Sequence, residues 1–227
     1  MLSVLASTRL ELEGLGGGLD MESENWSQHE LIFTGIGRTG VKDSLDVAEL
    51  SSELEGMLSV GFAGSIDPEF TTGDLCLVEK IGSEVTEGEY RTDEEFRKRA
   101  ELVLEEDTRT TGLLTLEEAV TESEDKRALE GEEYPIVDQE TYWQARVARD
   151  NDIPFLGLRV VFDDIDRTLP PDHCYDNSGV VKPWNLMLWL FRHPKGATEL
   201  PGAFTDLVRA RKRLARAVEA VVPVLLG

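Results

Sequence analysis

A chain of 227 residues, 41% hydrophobic and with four tryptophans, can bury one sizeable core, which excludes a disordered segment. Its formal net charge of −22 excludes nucleic acid and anionic membrane as partners, because both repel so acidic a body. No apolar run reaches the ~20 residues that cross a bilayer, so no stable membrane insertion is expected.

Met1–Ala6 is too short for a secretory leader, and Cys76 and Cys174 lie far apart without metal-ligand spacing. A cytoplasmic protein with two idle thiols, folded as a single domain over residues 1–227, is expected. Leu2–Ala6 reads as a short buried strand. Ser7-Thr8 then offers an N-cap to a helix beginning RLELEGL, with Glu11 where a capping box puts its acid. Gly14–Gly18 breaks that helix, and Leu19–Glu30 reads as a polar loop or hairpin.

Leu31–Phe33 is a second strand that runs into TGIGRTG, residues 34–40. Glycines at a strand-to-helix turn let backbone approach a ligand, and the helix start favours polar or anionic groups. A purely structural tight turn looks the same, and the spacing is not that of a dinucleotide fingerprint. Val41–Leu54 reads as a helix and Met57–Val60 as a strand, after which Gly61-Phe62-Ala63-Gly64-Ser65 suggests backbone amides lining a pocket. Gly73-Asp74 is a turn and Leu75–Ile81 a buried strand. Within the charged stretch 82–110, one helix is expected from Asp93 to Leu104. Gly112–Leu116 follows as a strand, then a charged helix around Ser123–Glu130.

Tyr134–Val137 is an apolar run that ends at Asp138 and Glu140. A helix-like stretch with Tyr142, Ala145, Val147 and Ala148 follows, and Asn151-Asp152 breaks it. Ile153–Phe162 is a second apolar run, ending at Asp163. The unit reads as strand–helix–strand with carboxylates emerging at the same end of both strands. Ligands of open α/β sheets sit outside the carboxyl ends of strands, so Glu140 and Asp163 are the first candidates. Arg167–Lys182 is irregular, Trp184–Phe191 an apolar helix, HPKGATELPG a loop, and Ala203–Leu226 an amphipathic helix. The basic run RARKRLAR on that last helix reads as a solvated face. Strands alternating with helices predict a three-layer α/β/α sandwich around a central mixed sheet.

Four segments carry a resemblance to a family. TGIGRTG (34–40) is similar to an SGIGK-type loop, and VGFAGSIDPEFTTGDL (60–75) to a TG-x-AGG-x-x-P…GD segment. VDQET (137–141) is similar to VDMES or VEMEA, and IPFLGLRVVFDDID (153–166) to IPF…R-x-x-SDxAD. The chain thus resembles the purine nucleoside phosphorylase/uridine phosphorylase superfamily, in its methylthioadenosine/S-adenosylhomocysteine nucleosidase-like branch. From Asp166 to Val222, with DRTLPPD and LFRHPKGATELPGAFTDL, it looks more like the hopanoid-associated phosphorylases of that superfamily.

The resemblance implies cleavage of an N-glycosidic bond through an oxocarbenium-like sugar, without metal or organic cofactor. A small-molecule purine nucleoside is the implied ligand, and a homo-oligomer, in the first place a dimer, the implied assembly. Asp163 matches the general acid that protonates purine N7, which near neutrality requires a raised pKa. Asp164 and Asp166 are close enough in sequence to help raise it, while a helix-capping Asp163 is the structural alternative. Glu140 matches the acceptor of the ribose 2′- and 3′-hydroxyls, with a solvated helix-start acid as its alternative. Glu11 matches the glutamate that activates water, besides its capping reading. Arg159 matches the arginine that positions that water, and as a buried cation it needs a carboxylate such as Glu11 or Glu140.

Gly37, Arg38, Phe62, Ala63, Gly64, Gln139 and Phe162 fall at the family's substrate-contacting positions. Phe62 and Phe162 stand for serines, Gln139 for a methionine and Ser65 for a glycine, which reshapes the pocket. Hydrolysis is the preferred reaction, because Ala6-Ser7-Thr8-Arg9 is not the GD-x-x-R of hexameric phosphorylases and a carboxylate at Glu11 repels phosphate. Phosphorolysis, with phosphate as co-substrate near Arg9 and Arg38, is the alternative. A nucleoside-binding homologue without turnover is another.

Overall fold

A computed structural model describes residues 1–12, 29–47, 54–129, 133–170 and 194–226, with positions 174, 182, 185 and 189. Along the chain run β1 (Leu2–Ala6), α1 (Arg9–Leu12), β2 (His29–Phe33), α2 (Gly37–Val47), β3 (Gly56–Ser65), β4 (Leu75–Ser83) and β5 (Tyr90–Arg91). Then come α3 (Glu94–Glu101), β6 (Arg109–Thr115), α4 (Ser123–Ala128), β7 (Ile136–Asp138), α5 (Thr141–Asp150), β8 (Phe155–Asp163) and α6 (Pro194–Leu225).

The sheet is mixed, as the alternation of elements predicts. β2, β1, β3 and β8 lie side by side and parallel, so their carboxyl ends share one edge. β4 is antiparallel to β8 and parallel to β6, and β6 is parallel to β7. β7 returns to β3, antiparallel, through Val137 opposite Gly64 and Ile136 opposite Ser65. Five strands therefore close a ring. At a register shift between Ala63 and Gly64, the local irregularity of a bulge, β3 stays paired with β8 through Gly64 and Asp163 and takes up β7 on its other side.

Residues alternate across the pleat. Leu2, Val4, Leu58, Val60, Leu156 and Leu158 face α6, which buries Leu214, Val218 and Val222 against them. Leu5, Met57, Phe155 and Val161 face the other way, under Val41 and Leu45 of α2 and Tyr142, Ala145 and Ala148 of α5. Apolar residues at three- and four-residue spacing give each helix this single buried stripe. Asp93 caps α3, its carboxylate accepting from the Phe96 N–H at 2.9 Å. Asp152, at φ 55°, makes the left-handed turn that ends α5 where Asn151-Asp152 predicts a break.

Several expectations are corrected. Gly61–Ser65 is the second half of a ten-residue strand, not a loop beyond it. β7 and β8 run in opposite directions, because β3 is antiparallel to the first and parallel to the second, so their carboxylates do not leave the same end. The glycine turn already belongs to α2 from Gly37, four residues before the expected start, while Leu54 lies outside any helix. HPKGATELPG is not a loop from Pro194 onward: α6 begins there, since a proline in the first turn loses no helical hydrogen bond. Its basic run is not one solvated face, for Arg211 is 5% exposed and Arg213 donates to the Gly73 carbonyl at 2.6 Å. The glycine break after α1, most of the Leu19–Glu30 loop and most of 167–191 lie outside the described residues. No helix among the described residues is long and apolar enough to cross a membrane.

Candidate active site

At the carboxyl edge of β3 and β8 lies a cavity of about 190 Å³. Phe62, Ala63 and Gly64 of β3, Gln139 and Glu140 after β7, and Phe162 and Asp163 of β8 line it. Seven of the sequence candidates thus meet in one place, although they come from three strands and two strand directions. The opposed strands converge because β7 stops after three residues beside the end of β3. Leu116, Val120 and Leu169 form apolar wall, and Glu118 adds a carboxylate. The Phe62 and Phe162 rings pack together, tilted, with centroids 5.5 Å apart.

Glu11 does not line this cavity; it is 7% exposed and reaches the backbone of Phe62, which does. The Thr8 N–H donates to its Oε2 at 2.9 Å, the capping contact, and the Phe62 N–H donates to its Oε1 at 3.2 Å. The carboxylate therefore caps α1 and reaches β3 together. It does so only because residue 61 is glycine: a Cβ there would stand 2.4 Å from Oε1. Burial pushes the Glu11 pKa up, against amide contacts and Arg159 that pull it down.

Glu140 is equally buried and makes no helix-capping bond, so it is not a solvated helix-start acid. Its Oε1 accepts from the Gly37 N–H at 2.9 Å. Gly37 adopts φ +68°, a conformation that suits glycine, and this aims the amide. Burial first, then the charges of Asp138 and Glu11, raise Glu140 to about 8, so at neutral pH it keeps a proton.

Arg159, 1% exposed, pairs with Asp138 rather than with Glu11 or Glu140: Nε and Nη2 reach Asp138 Oδ2 at 3.2 and 3.1 Å. Its positive charge acts on the Glu11 and Glu140 carboxyls from farther off, pulling both pKa values down. Asp138 is completed by Thr115 at 2.8 Å and by Thr141. Arg159 also donates to Ser59 Oγ at 2.7 Å, and Gln144 continues this chain from Ser59 to Thr34 Oγ1, at 3.0 Å from the latter. A hydrogen-bonded layer thus runs beneath the cavity floor. Every member is satisfied, which holds its geometry rigid.

Asp163 ends β8, 7% exposed and bonded to Lys126 of α4, and among the described residues it caps no helix. Burial raises its pKa, Lys126 lowers it, and Asp164 raises it slightly, while Asp166 is drawn off to Arg127 at the surface. Lys126 was indistinguishable in sequence from the charges around it in SEDKRA; only the docking of α4 buries it. Arg38 lies outside the cavity, its guanidinium 4.7 Å over the Trp143 ring, and Arg9 stacks on Phe33 at 5.0 Å.

A family profile described as the phosphorylase superfamily matches residues 30–178, well over half of the chain. The chain belongs to the phosphorylase superfamily. Among curated proteins none matches at a significant level. Solved structures share the fold. One is the 5′-methylthioadenosine/S-adenosylhomocysteine nucleosidase of Streptococcus pneumoniae with a transition-state inhibitor, at 14% identity and TM-score 0.69, covering 99% of both chains. Futalosine hydrolase of Helicobacter pylori aligns at 17% identity and TM-score 0.67, over 98% of this chain and 97% of its own. A nucleosidase of the first kind from Colwellia psychrerythraea, in complex with adenine, aligns at 15% identity and TM-score 0.68, over 99% and 95%.

Proposed function

We propose that the protein hydrolyses the N-glycosidic bond of a purine nucleoside, of the methylthioadenosine/adenosylhomocysteine or adenosylhopane kind. One observation carries this reading: a single cavity brings Asp163, Glu140 and the Phe62–Phe162 pair together, and the Phe62 amide that lines it is bonded to Glu11. Cleavage of such a bond develops positive charge on the sugar and negative charge on the departing base. Asp163 protonates N7 of the base, Glu140 holds the ribose hydroxyls, and Glu11 takes a proton from the attacking water. The raised pKa of Glu11 makes its carboxylate a stronger base than a free one. Arg159 holds Asp138 and the network under the ribose site. The apolar faces of Phe62, Phe162 and Leu116 suit a purine.

The cavity is smaller than the roughly 300–1,000 Å³ of a drug-sized ligand site, so a large 5′ substituent lies beyond its mouth. Hydrolysis is favoured over phosphorolysis because Arg9 and Arg38 both stack on aromatic rings and line no part of the cavity. The reading calls for no metal and no organic cofactor. A homodimer within a single-domain chain, as the family resemblance implies, belongs to the same proposal.

The test is chromatography of methylthioadenosine, adenosine and adenosylhopane incubated with the protein, with and without phosphate. Free base is expected in phosphate-free buffer, together with ribose from adenosine and with the 5′-substituted ribose from the other two. Base release that requires phosphate would replace hydrolysis by phosphorolysis. Purine binding without any base release would mark a non-catalytic homologue.

A further inference from the structure

Gln144 shares the buried face of α5 with Tyr142, Ala145 and Ala148, and is itself 1% exposed. A side-chain amide in such a place is costly unless it is bonded, and here both of its ends are. Its Oε1 accepts from Ser59 Oγ of β3, and its Nε2 donates to Thr34 Oγ1 at 3.0 Å. Each link has one direction. The Arg159 guanidinium can only donate, so Ser59 Oγ accepts from it at 2.7 Å and turns its own proton to Gln144. Thr34 Oγ1, having accepted, donates onward to the Ala6 or the Gly35 carbonyl, each at 3.4 Å. A chain that starts at a charge and points one way is polarised along its length, and each bond strengthens the next.

Both partners of the Gly37–Glu140 contact are tied to this one residue. Thr34 and Gly35, which open the glycine turn, hang from the end of β1: their N–H groups donate to the Ala6 and Ser7 carbonyls at 2.8 and 3.0 Å. Ser44 of α2 closes the turn on the Thr34 carbonyl at 3.0 Å. Glu140 stands at the start of α5, and its carbonyl accepts from the Gln144 N–H at 3.1 Å, one helical turn on. The Gln144 backbone thus holds Glu140, while its side chain ties the same turn of α5 to the Thr34 that leads to Gly37. Across that junction the Gly37 N–H meets Glu140 Oε1 at 2.9 Å.

We propose that Gln144 is a positioning residue for the ribose end of the site: it fixes the first turn of α5 against the glycine turn, and so sets where Glu140 presents its carboxyl group. The inference rests on the purine-cleavage reading above, in which Glu140 holds the ribose hydroxyls. It makes sugar and base separable. Arg159, Ser59, Gln144 and Thr34 line no part of the cavity, whereas Asp163 and the Phe62–Phe162 pair, which meet the base, do.

The experiment measures the dissociation constants of adenosine, 2′-deoxyadenosine and adenine by calorimetry, in Asp163→Asn so that no base is released, with and without Gln144→Met. Methionine keeps the length of the side chain and removes its donor and acceptor. Asp163→Asn alone should prefer adenosine to 2′-deoxyadenosine by about tenfold, the worth of one hydrogen bond. Adding Gln144→Met should bring that ratio below about threefold, with adenine bound within a few-fold of the parent. Thermal melts establish that the variant is folded; if it is not, Thr34→Val, which severs the same link from its other end and keeps the side chain's shape, is measured in its place. A ratio left at the parent's value would overturn the proposal, and so would an equal loss of all three ligands, which would leave Gln144 a structural staple. Equal affinity of the parent for the two nucleosides would remove Glu140 from the ribose, and the proposal with it. A parent that binds none of the three would instead overturn the purine-cleavage reading itself.

Discussion

Replacing Glu140 by glutamine should make the protein more stable at pH 8 and leave its stability at pH 5 nearly unchanged. In the folded chain the carboxyl is raised from 4.5 to about 8, by burial and then by Asp138 and Glu11. Between those values the folded chain holds a proton that the unfolded chain has released, so stability falls as pH rises through the window. At about 1.4 kcal/mol per pKa unit the upper limit is about 5 kcal/mol. Asp138 and Glu11 share that repulsion, so about 2 kcal/mol is expected from Glu140 alone. Glutamine keeps an oxygen for the Gly37 amide and brings no charge. For a chain of this length the gain corresponds to a rise in Tm of roughly 4–8 °C at pH 8. Thermal melts by circular dichroism from pH 5 to 9 measure it. A variant less stable than wild type at pH 8, or a Tm difference independent of pH, would refute this electrostatic account. The same substitution should weaken nucleoside binding, the usual trade between a strained site and stability.

Gly61→Ala should cost about 10²-fold in kcat with little loss of purine binding, because the new Cβ displaces Glu11 Oε1 from 2.4 Å away; steady-state kinetics and calorimetry separate the two. Arg159→Met leaves Asp138 buried without its cation and should destabilise the fold by about 3–5 kcal/mol, read as the urea midpoint near neutral pH. Serines at both Phe62 and Phe162 should enlarge the cavity and raise kcat/KM for bulkier nucleosides relative to adenosine. An unchanged ratio would show that the ring pair does not set substrate size.

The fold's layers and about half of the cavity wall were legible because local chemistry constrains the residue types. Only small residues let β3 pass beneath Glu11 and Asp163, and apolar runs such as Leu2–Ala6 and Phe155–Phe162 have no other use than a buried strand. The resemblance to nucleoside phosphorylases and nucleosidases, read from four short segments, agrees with the family match. What escaped was non-local. Arg159 pairs with Asp138 because the ring brings β7 back to β3 against the direction of β8, and no periodicity encodes strand direction. Lys126 in SEDKRA looks like any solvated lysine until α4 docks on the end of β8. The start of α6 was hidden by Gly196, Pro201 and Gly202, residues of low helix propensity inside a helix that packing sustains.

The most direct test compares wild type and Asp163→Asn for release of free purine base and for binding of that base. The account predicts that the wild type releases base in phosphate-free buffer. Asp163→Asn should lose about 10²–10⁴-fold of that rate while binding purine within a few-fold of wild type. Base release by Asp163→Asn at the wild-type rate would contradict Asp163 as the acid, and purine binding by the wild type with no release would contradict catalysis altogether.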